Sequence, residues 1–485
     1  MANQQKTPLF SKLVDHISRE PHSLHVPGHK WGSVFPDFAR KSFESVLKLD
    51  ATELNHLDDL HDAQTVIEEA QQLLADVYRT QASFFLVGGS TVGNLAMLLS
   101  VCQKDDAILV QRDSHKSVIN GIQLAQAKPI YLPSEYDKKT GLSTGVGLNT
   151  VIKALQEFPE AKAIFLTNPS YYGITRDLKD VIKIAHQNEI PVLVDEAHGA
   201  HFGVGEGFPS SAITQGADIV VQSAHKTLPA MTMGSYLHVN SRLISNEKIK
   251  YYLQILQSSS PSYPVMASLD LARHYVANLS QEEVATILES SEEFKSLLKK
   301  VPQISVIELS ETTSLTIDPL KITLRTNCEL TGIQIQSLLE EQGIFVELAN
   351  EEYLLLVLPL APFKEGEYIA SVIQRVLKPY RTIKRTSKKR ELSRRSIVKL
   401  TVDELDRSNT TFIGLEEAVG RRVAEPIIPY PPGVPLLIPG ETITQENIEM
   451  IIKLIDAGTR FQGHANLKET GLKVFITDER KEARE

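Results

Sequence analysis

VLVDEAHGAHFG (192–203) and, one helical passage later, DIVVQSAHKTLPAMTMGSYLHV (218–239) decide the fold. Each contains a short, unbroken apolar run that turns polar at its end: Asp195 closes the first and Ser223 the second. Runs this short, without alternation, suit strands buried on both faces. SFFLV (83–87), AILV (107–110), AIFL (163–166) and SYLHV (235–239) repeat the pattern, with stretches of helical spacing between them. From Ser83 to about Val239 the chain therefore predicts an α/β fold, a mainly parallel sheet covered by helices. Ligands of such sheets sit beyond the carboxyl ends of the strands, so the residues just after each run are the ones to read for chemistry.

Outward from this block, residues 1–60 read as an arm, punctuated by HVPGHKWG (25–32) and running into LDDLHDA (57–63). Val66, Ile67, Ala70, Leu73, Leu74 and Val77 recur at helical spacing and start a large domain over 61–280. Residues 281–380 predict a smaller α/β unit with strands in KITLRT (321–326) and YLLLVLPL (353–360). The basic stretch KPYRTIKRTSKKRELSRR (378–395) supplies a solvated linker over 381–395. A last α+β unit, 396–485, contains YPPGVPLLIPGE (430–441).

A chain of 485 residues is too long for a single core and divides into domains. Its net charge of -9 argues against a general nucleic-acid binder. Two cysteines, Cys102 and Cys328, both lie in apolar segments and suit a reducing compartment better than a disulfide scaffold. The N-terminal residues lack a signal-peptide core, and no segment has the ~18 consecutive apolar residues that a membrane span needs. The expectation is a cytoplasmic protein without membrane or nucleic-acid partners.

Four segments carry chemistry. In VGGSTVGNLAML (87–98), Gly88, Gly89, Ser90 and Thr91 fall where a strand gives way to an apolar helix. Free amides, the helix dipole and two hydroxyls there make a phosphate cradle, or else an ordinary capped turn. Asp195 ends a buried strand; its carboxylate suits a protonated pyridinium nitrogen, or caps the next turn. His198 stands close enough to reach a ring substituent, and no third ligand joins His198 and His201 to make a metal site. Lys226 follows the next strand, 31 positions after Asp195, among Ser223, His225 and Thr227. A partly desolvated lysine forms an imine with an aldehyde, although a lone lysine after a strand is more often a surface residue. His115 in QRDSHKSVIN (111–120) has the place to stack on a ring and handle a proton.

A Gly-Ser-Thr helix start, HKS, DEAH and SAHK, in that order on a parallel sheet, resembles a fold-type I pyridoxal-phosphate enzyme. More narrowly, PGHK (27–30), LDDLH (57–61), HKS (115–117), SAHK (223–226) and YPPGVPLLIPGE (430–441) resemble the Orn/Lys/Arg decarboxylase family, in its short Gram-positive form. By this resemblance the chain is expected to be of the form that begins at the arm, without the receiver-like domain of the long members. It carries Asn55-His56 where Pro-Gly is expected, and DEAH where long members have a tryptophan.

The resemblance implies pyridoxal 5'-phosphate held on Lys226, Asp195 beneath the pyridine nitrogen and His115 stacked on the ring. Gly89, Ser90, Thr91, Ser223 and His225 would hold the phosphate, with Ala197 and His198 also at the cofactor. It further implies α-decarboxylation of a basic amino acid, arginine before lysine or ornithine, to agmatine or a diamine that feeds polyamine metabolism. A homodimer or homotetramer would place the site at a subunit interface, and no metal is expected. His29, Asp58, Asp59 and Glu441 are the candidates for reading the substrate. The alternatives are another fold-type I activity, such as an α-oxoamine synthase or aminotransferase, or a non-catalytic regulator resembling a decarboxylase.

Overall fold

The computed structural model describes residues 3–309, 314–383, 398–399, 409–430, 433–456 and 458–476. Its centre is an eight-stranded sheet of β1 (Ala82–Leu86), β2 (Ala107–Gln111), β3 (Lys128–Leu132), β4 (Ile164–Thr167), β5 (Val192–Asp195), β6 (Ile219–Gln222), β7 (Ser235–Val239) and β8 (Val398–Lys399). They lie in the order β1-β7-β6-β5-β4-β2-β3-β8. The middle of the sheet, from β6 across β5, β4 and β2 to β3, is parallel. Both edges are antiparallel, β1 and β7 on one side and β8 on the other. The predicted sheet is thus parallel where it carries the chemistry and mixed at its rims.

Burial on both faces explains the unbroken apolar runs. In β5, Val192 and Val194 enter one core cluster while Leu193 enters the other, on the opposite face. Alternation of side chains sends neighbours to opposite sides, so a strand with no solvent face has no polar alternates. Each fully buried Val, Leu or Phe contributes roughly 1.5–3 kcal/mol, which fixes the strand ends firmly enough to aim the residues beyond them. β3, in KPIYL, has no counterpart among the predicted runs. Lys128 and Pro129 open it, and only three apolar residues remain.

Four helices bear on the site or its surroundings: α1 (Pro8–Ser18), α2 (Asp37–Leu49), α3 (Val66–Tyr78) and α4 (Gly89–Val101). α4 presses on the sheet through Gly93, where a Cβ would come within 2.4 Å of Val221 Cγ2. Glycine there is what lets helix and strand approach this closely.

The smaller unit has the helix Gln281–Leu298, opened by a Ser280/Glu283 capping box, and a four-stranded antiparallel sheet. That sheet contains Lys321–Thr326 and Tyr353–Val357, as the sequence predicts. Outside that sheet, Thr316–Ile317 pairs with Ile174–Thr175 in a two-stranded ribbon that stitches the unit to the large domain. The linker lies almost wholly outside the described residues; only 381–383 are seen. The last unit has its own core around Val423, Ile427, Leu437, Ile448, Ile451 and Val474. β8, at its sequence start, belongs instead to the edge of the main sheet. Among the described residues no helix is long and apolar enough to cross a membrane.

Candidate active site

The carboxyl ends of β5 and β6 and the start of α4 converge. Asp195, the last residue of β5, is buried, and both its oxygens are engaged. Oδ2 accepts from Asn94 Nδ2 at 2.9 Å and Oδ1 from the Ala197 amide at 3.1 Å. Glu196, next in the chain, points to the other side. Burial pushes its carboxyl up to about 7, while Ser211, the Ala212 amide and Gln222 satisfy it. The DE pair therefore divides into one carboxylate at the site and one inside the scaffold.

After β6, Ser223 starts the one-turn helix Ala224–Thr227 that carries Lys226. The Lys226 amine stands 3.1 Å from His198 Nε2. The side chain opens onto a cleft, yet protein around the amine lowers its pKa by desolvation, opposed by the charges of Asp195 and Glu347. Desolvation also takes His198 well below the ordinary histidine range, with Lys321 and Lys226 adding to the effect. A neutral His198 can accept from the lysine ammonium. His201 turns away to Asp318, 3.1 Å, so the two histidines of this loop share no ligand point.

At the start of α4, Ser90 Oγ lies 2.7 Å from Ser223 Oγ and 3.3 Å from Ser235 Oγ, joining three segments. Gly89 has φ +73 and open space where a side chain would stand, and the helix has no side-chain cap. The Gly89 amide donates to the Met233 carbonyl at 2.9 Å, and no side chain takes the amides that follow it in the first turn. Thr91 is exposed at the same turn. His225 is tied back to the Gly234 carbonyl through both its backbone amide and Nδ1. His115 caps the next helix, Lys116–Ala125, with Nδ1 2.8 Å from Ser117 Oγ.

The four residues expected to read substrate divide differently. Asp58 is a cap: its carboxylate accepts from the amides of Asp59, Gln64, Thr65, Ile67 and Glu68 around the start of α3. Burial raises its pKa, but those amides outweigh burial and lower it overall. Glu441 is buried against Arg112, with both oxygens used. Both acids are thus held by partners within the protein. His29 pairs with Asp50 inside the arm at 3.0 Å, and Asp59 Oδ1 accepts from the His61 amide at 2.8 Å.

Residues with no mark in the local sequence complete the cleft. Tyr171 packs edge-on against His198, with ring centroids 4.7 Å apart, and its hydroxyl donates to Glu347 Oε1 at 2.5 Å. Lys321 donates to the Tyr171 carbonyl at 2.7 Å; burial drives its pKa down to about 7. Asn94 lies within the α4 motif, where the sequence assigns it no role. Its one available signal is to be an amide on the mainly apolar part of the helix after Thr91, and the fold leaves it 1% exposed.

These residues fit pyridoxal phosphate. A lysine of lowered pKa, a fixed carboxylate, and an uncapped helix start with an empty glycine position are the parts that an aldehyde, a pyridine nitrogen and a phosphate require. The fold and site define a fold-type I pyridoxal-phosphate enzyme. The Orn/Lys/Arg decarboxylase major domain matches residues 7–316, and the C-terminal domain of the same family matches 389–466.

The chain belongs to the Orn/Lys/Arg decarboxylase family and is a pyridoxal-phosphate-dependent decarboxylase of basic amino acids. It is 34% identical to an arginine decarboxylase of Bacillus subtilis over 470 residues, 95% of this chain and 96% of that one. It is 46% identical to the uncharacterized protein YaaO of the same organism over 480 residues, 98% and 99% of the two chains. Among solved structures, a Francisella novicida lysine decarboxylase superposes with a TM-score of 0.79 at 19% identity, covering 97% of this chain and 81% of the other. Terminal-unit matching along with the major domain separates the chain from α-oxoamine synthases and aminotransferases.

Proposed function

We propose that the protein decarboxylates arginine to agmatine, with lysine and ornithine as weaker substrates. The observation that carries this reading is the 34% identity along almost the whole chain to relatives named arginine decarboxylase. Bound pyridoxal phosphate supplies the electron sink for the pair left behind when the carboxylate departs.

The chain's own residues do the rest. Lys226 would hold the cofactor through its amine, and the same amine would be the group that moves a proton at Cα. Asp195, fixed by two donors, would face the ring nitrogen and favour its protonated form. His115 would stack on the ring. Gly89, Ser90, Thr91, Ser223 and His225 would hold the phosphate, with Ala197 and His198 also at the cofactor. With Asp58 and Glu441 committed elsewhere, Glu347 is the acid best supported as partner of the substrate's side-chain cation. Its charge acts on both Lys226 and Lys321, and Tyr171 orients it. A carboxylate fixed by one hydroxyl still has an oxygen to offer a guanidinium.

We assign the active form to a homodimer or homotetramer. Leu24 and Phe38 of the arm are 98% and 93% exposed, with Val26 and Val34 beside them, an apolar surface suited to a second copy. The test is to incubate the purified protein and pyridoxal phosphate with arginine, lysine and ornithine separately, identifying the amine and measuring CO2. Agmatine formed fastest supports the reading; cadaverine or putrescine formed faster replaces it, and no CO2 from any of the three removes it.

A further inference from the structure

We infer that Asn94 is a positioning residue that ties Asp195 to His115 and, through Ser117, fixes the proton of His115 on Nε2. The inference rests on the reading that Asp195 and His115 face the cofactor.

Asn94 sits in α4, almost fully buried. Its amide nitrogen reaches Asp195 Oδ2 and Ser117 Oγ, both at 2.9 Å. A carboxylate only accepts, so the nitrogen end of the amide must face Asp195. The opposite end, Oδ1, is buried without a partner. Turning the amide over would place that oxygen against the carboxylate, so the orientation is determined by charge as well as by distance.

The proton order follows from this orientation. Asn94 donates one hydrogen to Asp195 and the other to Ser117, which makes Ser117 Oγ an acceptor on that side. The serine's own hydrogen then goes to His115 Nδ1, 2.8 Å away. The Ser117 backbone amide also donates to Nδ1, at 3.2 Å. Two donors aimed at one nitrogen leave no room for a proton on it, so the neutral imidazole carries its hydrogen at Nε2.

The charged surroundings act in the same direction. Burial opposes the imidazolium first, Asp195 favours it, and Lys226 and Lys116 oppose it, for a net lowering of the His115 pKa. His198 faces the same cluster. From the last unit, Gly433 approaches the Nε2 side; a Cβ on it would stand 3.3 Å from that nitrogen. His115 is thereby held as a neutral ring with Nδ1 occupied. Proton delivery at Cα falls to Lys226.

The test reads the ring nitrogens of His115 by NMR in full-length protein labelled with 15N-histidine, with pyridoxal phosphate bound and again without it. A His115→Gln variant assigns the signal. The expected wild-type result is a neutral ring at pH 8 protonated at Nε2, with a midpoint below the ordinary histidine range. Asn94→Ala frees Ser117 Oγ to accept from Nδ1, and the His115 midpoint should rise by about one pH unit. Ser117→Ala, which removes one of the two donors, should move it less and in the same direction. If Asn94→Ala does not fold, Ser117→Ala carries the test, since it removes only a hydroxyl. A wild-type ring protonated at Nδ1 or doubly protonated at pH 7 overturns the inference. So does an unchanged midpoint in every variant that folds. Because the signal is also read without cofactor, an absence of CO2 from every basic amino acid would remove the functional reading and leave this result standing on its own.

Discussion

Arg112, just past β2, and Glu441, in the last unit, form a two-pronged ion pair, with Nε to Oε1 and Nη2 to Oε2 both 2.8 Å. The same guanidinium donates to the carbonyls of Pro435 and Leu436, and Glu441 Oε2 also accepts from the Ile438 amide. The acid proposed from sequence as a substrate contact is instead the bolt that holds the terminal unit against the catalytic domain.

Removing one side of this bolt should be costly. Glu441 is nearly inaccessible and Arg112 only slightly exposed, and a buried charge deprived of its partner costs about 3–5 kcal/mol. Glu441→Gln and Arg112→Met should each lower the melting temperature by several degrees. The double variant should lose less than the sum. Thermal melts of the four proteins in one cycle measure the coupling, and strict additivity would show that the pair contributes nothing of its own.

Lys226→Ala should abolish the visible absorbance of covalently held pyridoxal phosphate together with activity. Asp195→Ala should keep some cofactor but lose turnover by at least about a hundredfold, the scale of removing a fixed charge from a site. Spectra and initial rates on the same preparations separate the two roles. A visible band surviving in Lys226→Ala would transfer the covalent role elsewhere.

Lys321 makes a prediction about pH. Burial lowers its pKa to about 7 in the folded protein, against 10.5 ordinarily. Between those values the unfolded chain binds more protons than the folded one, so stability attributable to Lys321 rises with pH across that window. Below about 7 the cost of placing its charge in the interior is fully present. Melting temperatures of the wild type and Lys321→Met, compared from pH 6 to 10, should therefore converge or cross as pH rises, with the variant favoured at the acid end. Parallel curves would mean that the amine is not desolvated as its surroundings require.

The strands and the Lys226–Asp195 pair were legible in sequence because of how they are buried. A strand covered on both faces is apolar at every position, so its polar terminus stands out. β3 was not legible, because Lys128 and Pro129 interrupt its run. The partners of the acids were not legible. Asp58 and Glu441 have the chemistry expected of a substrate contact, and the sequence does not show what holds them. Asp58 is taken by amides up to ten residues away, and Glu441 by an arginine 329 positions earlier. Glu347 and Tyr171 meet across 176 positions, with nothing local to mark either. Asn94 reads locally as one polar residue among several in its helix and gains meaning only when Asp195 and Ser117 arrive beside it.

Glu347→Gln tests the substrate cation's partner. The change keeps size and the hydrogen bond to Tyr171 while removing charge. KM for arginine should rise about tenfold, roughly 1.4 kcal/mol of lost attraction, with a smaller change in kcat. Equal losses in both parameters for arginine, lysine and ornithine would place the residue's effect on the Tyr171–His198 wall rather than on the side chain of the substrate.

Gly433 brings the terminal unit into the chemistry. Its φ of +86 is a conformation that other residues adopt only with strain, and a Cβ there would lie 3.3 Å from both Cδ2 and Nε2 of His115. The Lys116 amide also reaches the Gly433 carbonyl, at 3.4 Å. Gly433→Ala should lose about 1–2 kcal/mol of local backbone stability and press the methyl group onto the imidazole. If His115 covers the cofactor, that pressure should displace the ring and alter the visible spectrum and kcat together, while the Arg112–Glu441 bolt keeps the unit docked. Arg112→Met supplies the contrast, since it loosens the same unit without touching His115. A spectral change in Gly433→Ala larger than in Arg112→Met would mean that the last unit acts on the ring through this one contact. Matching changes in the two variants would mean that it acts only by being docked.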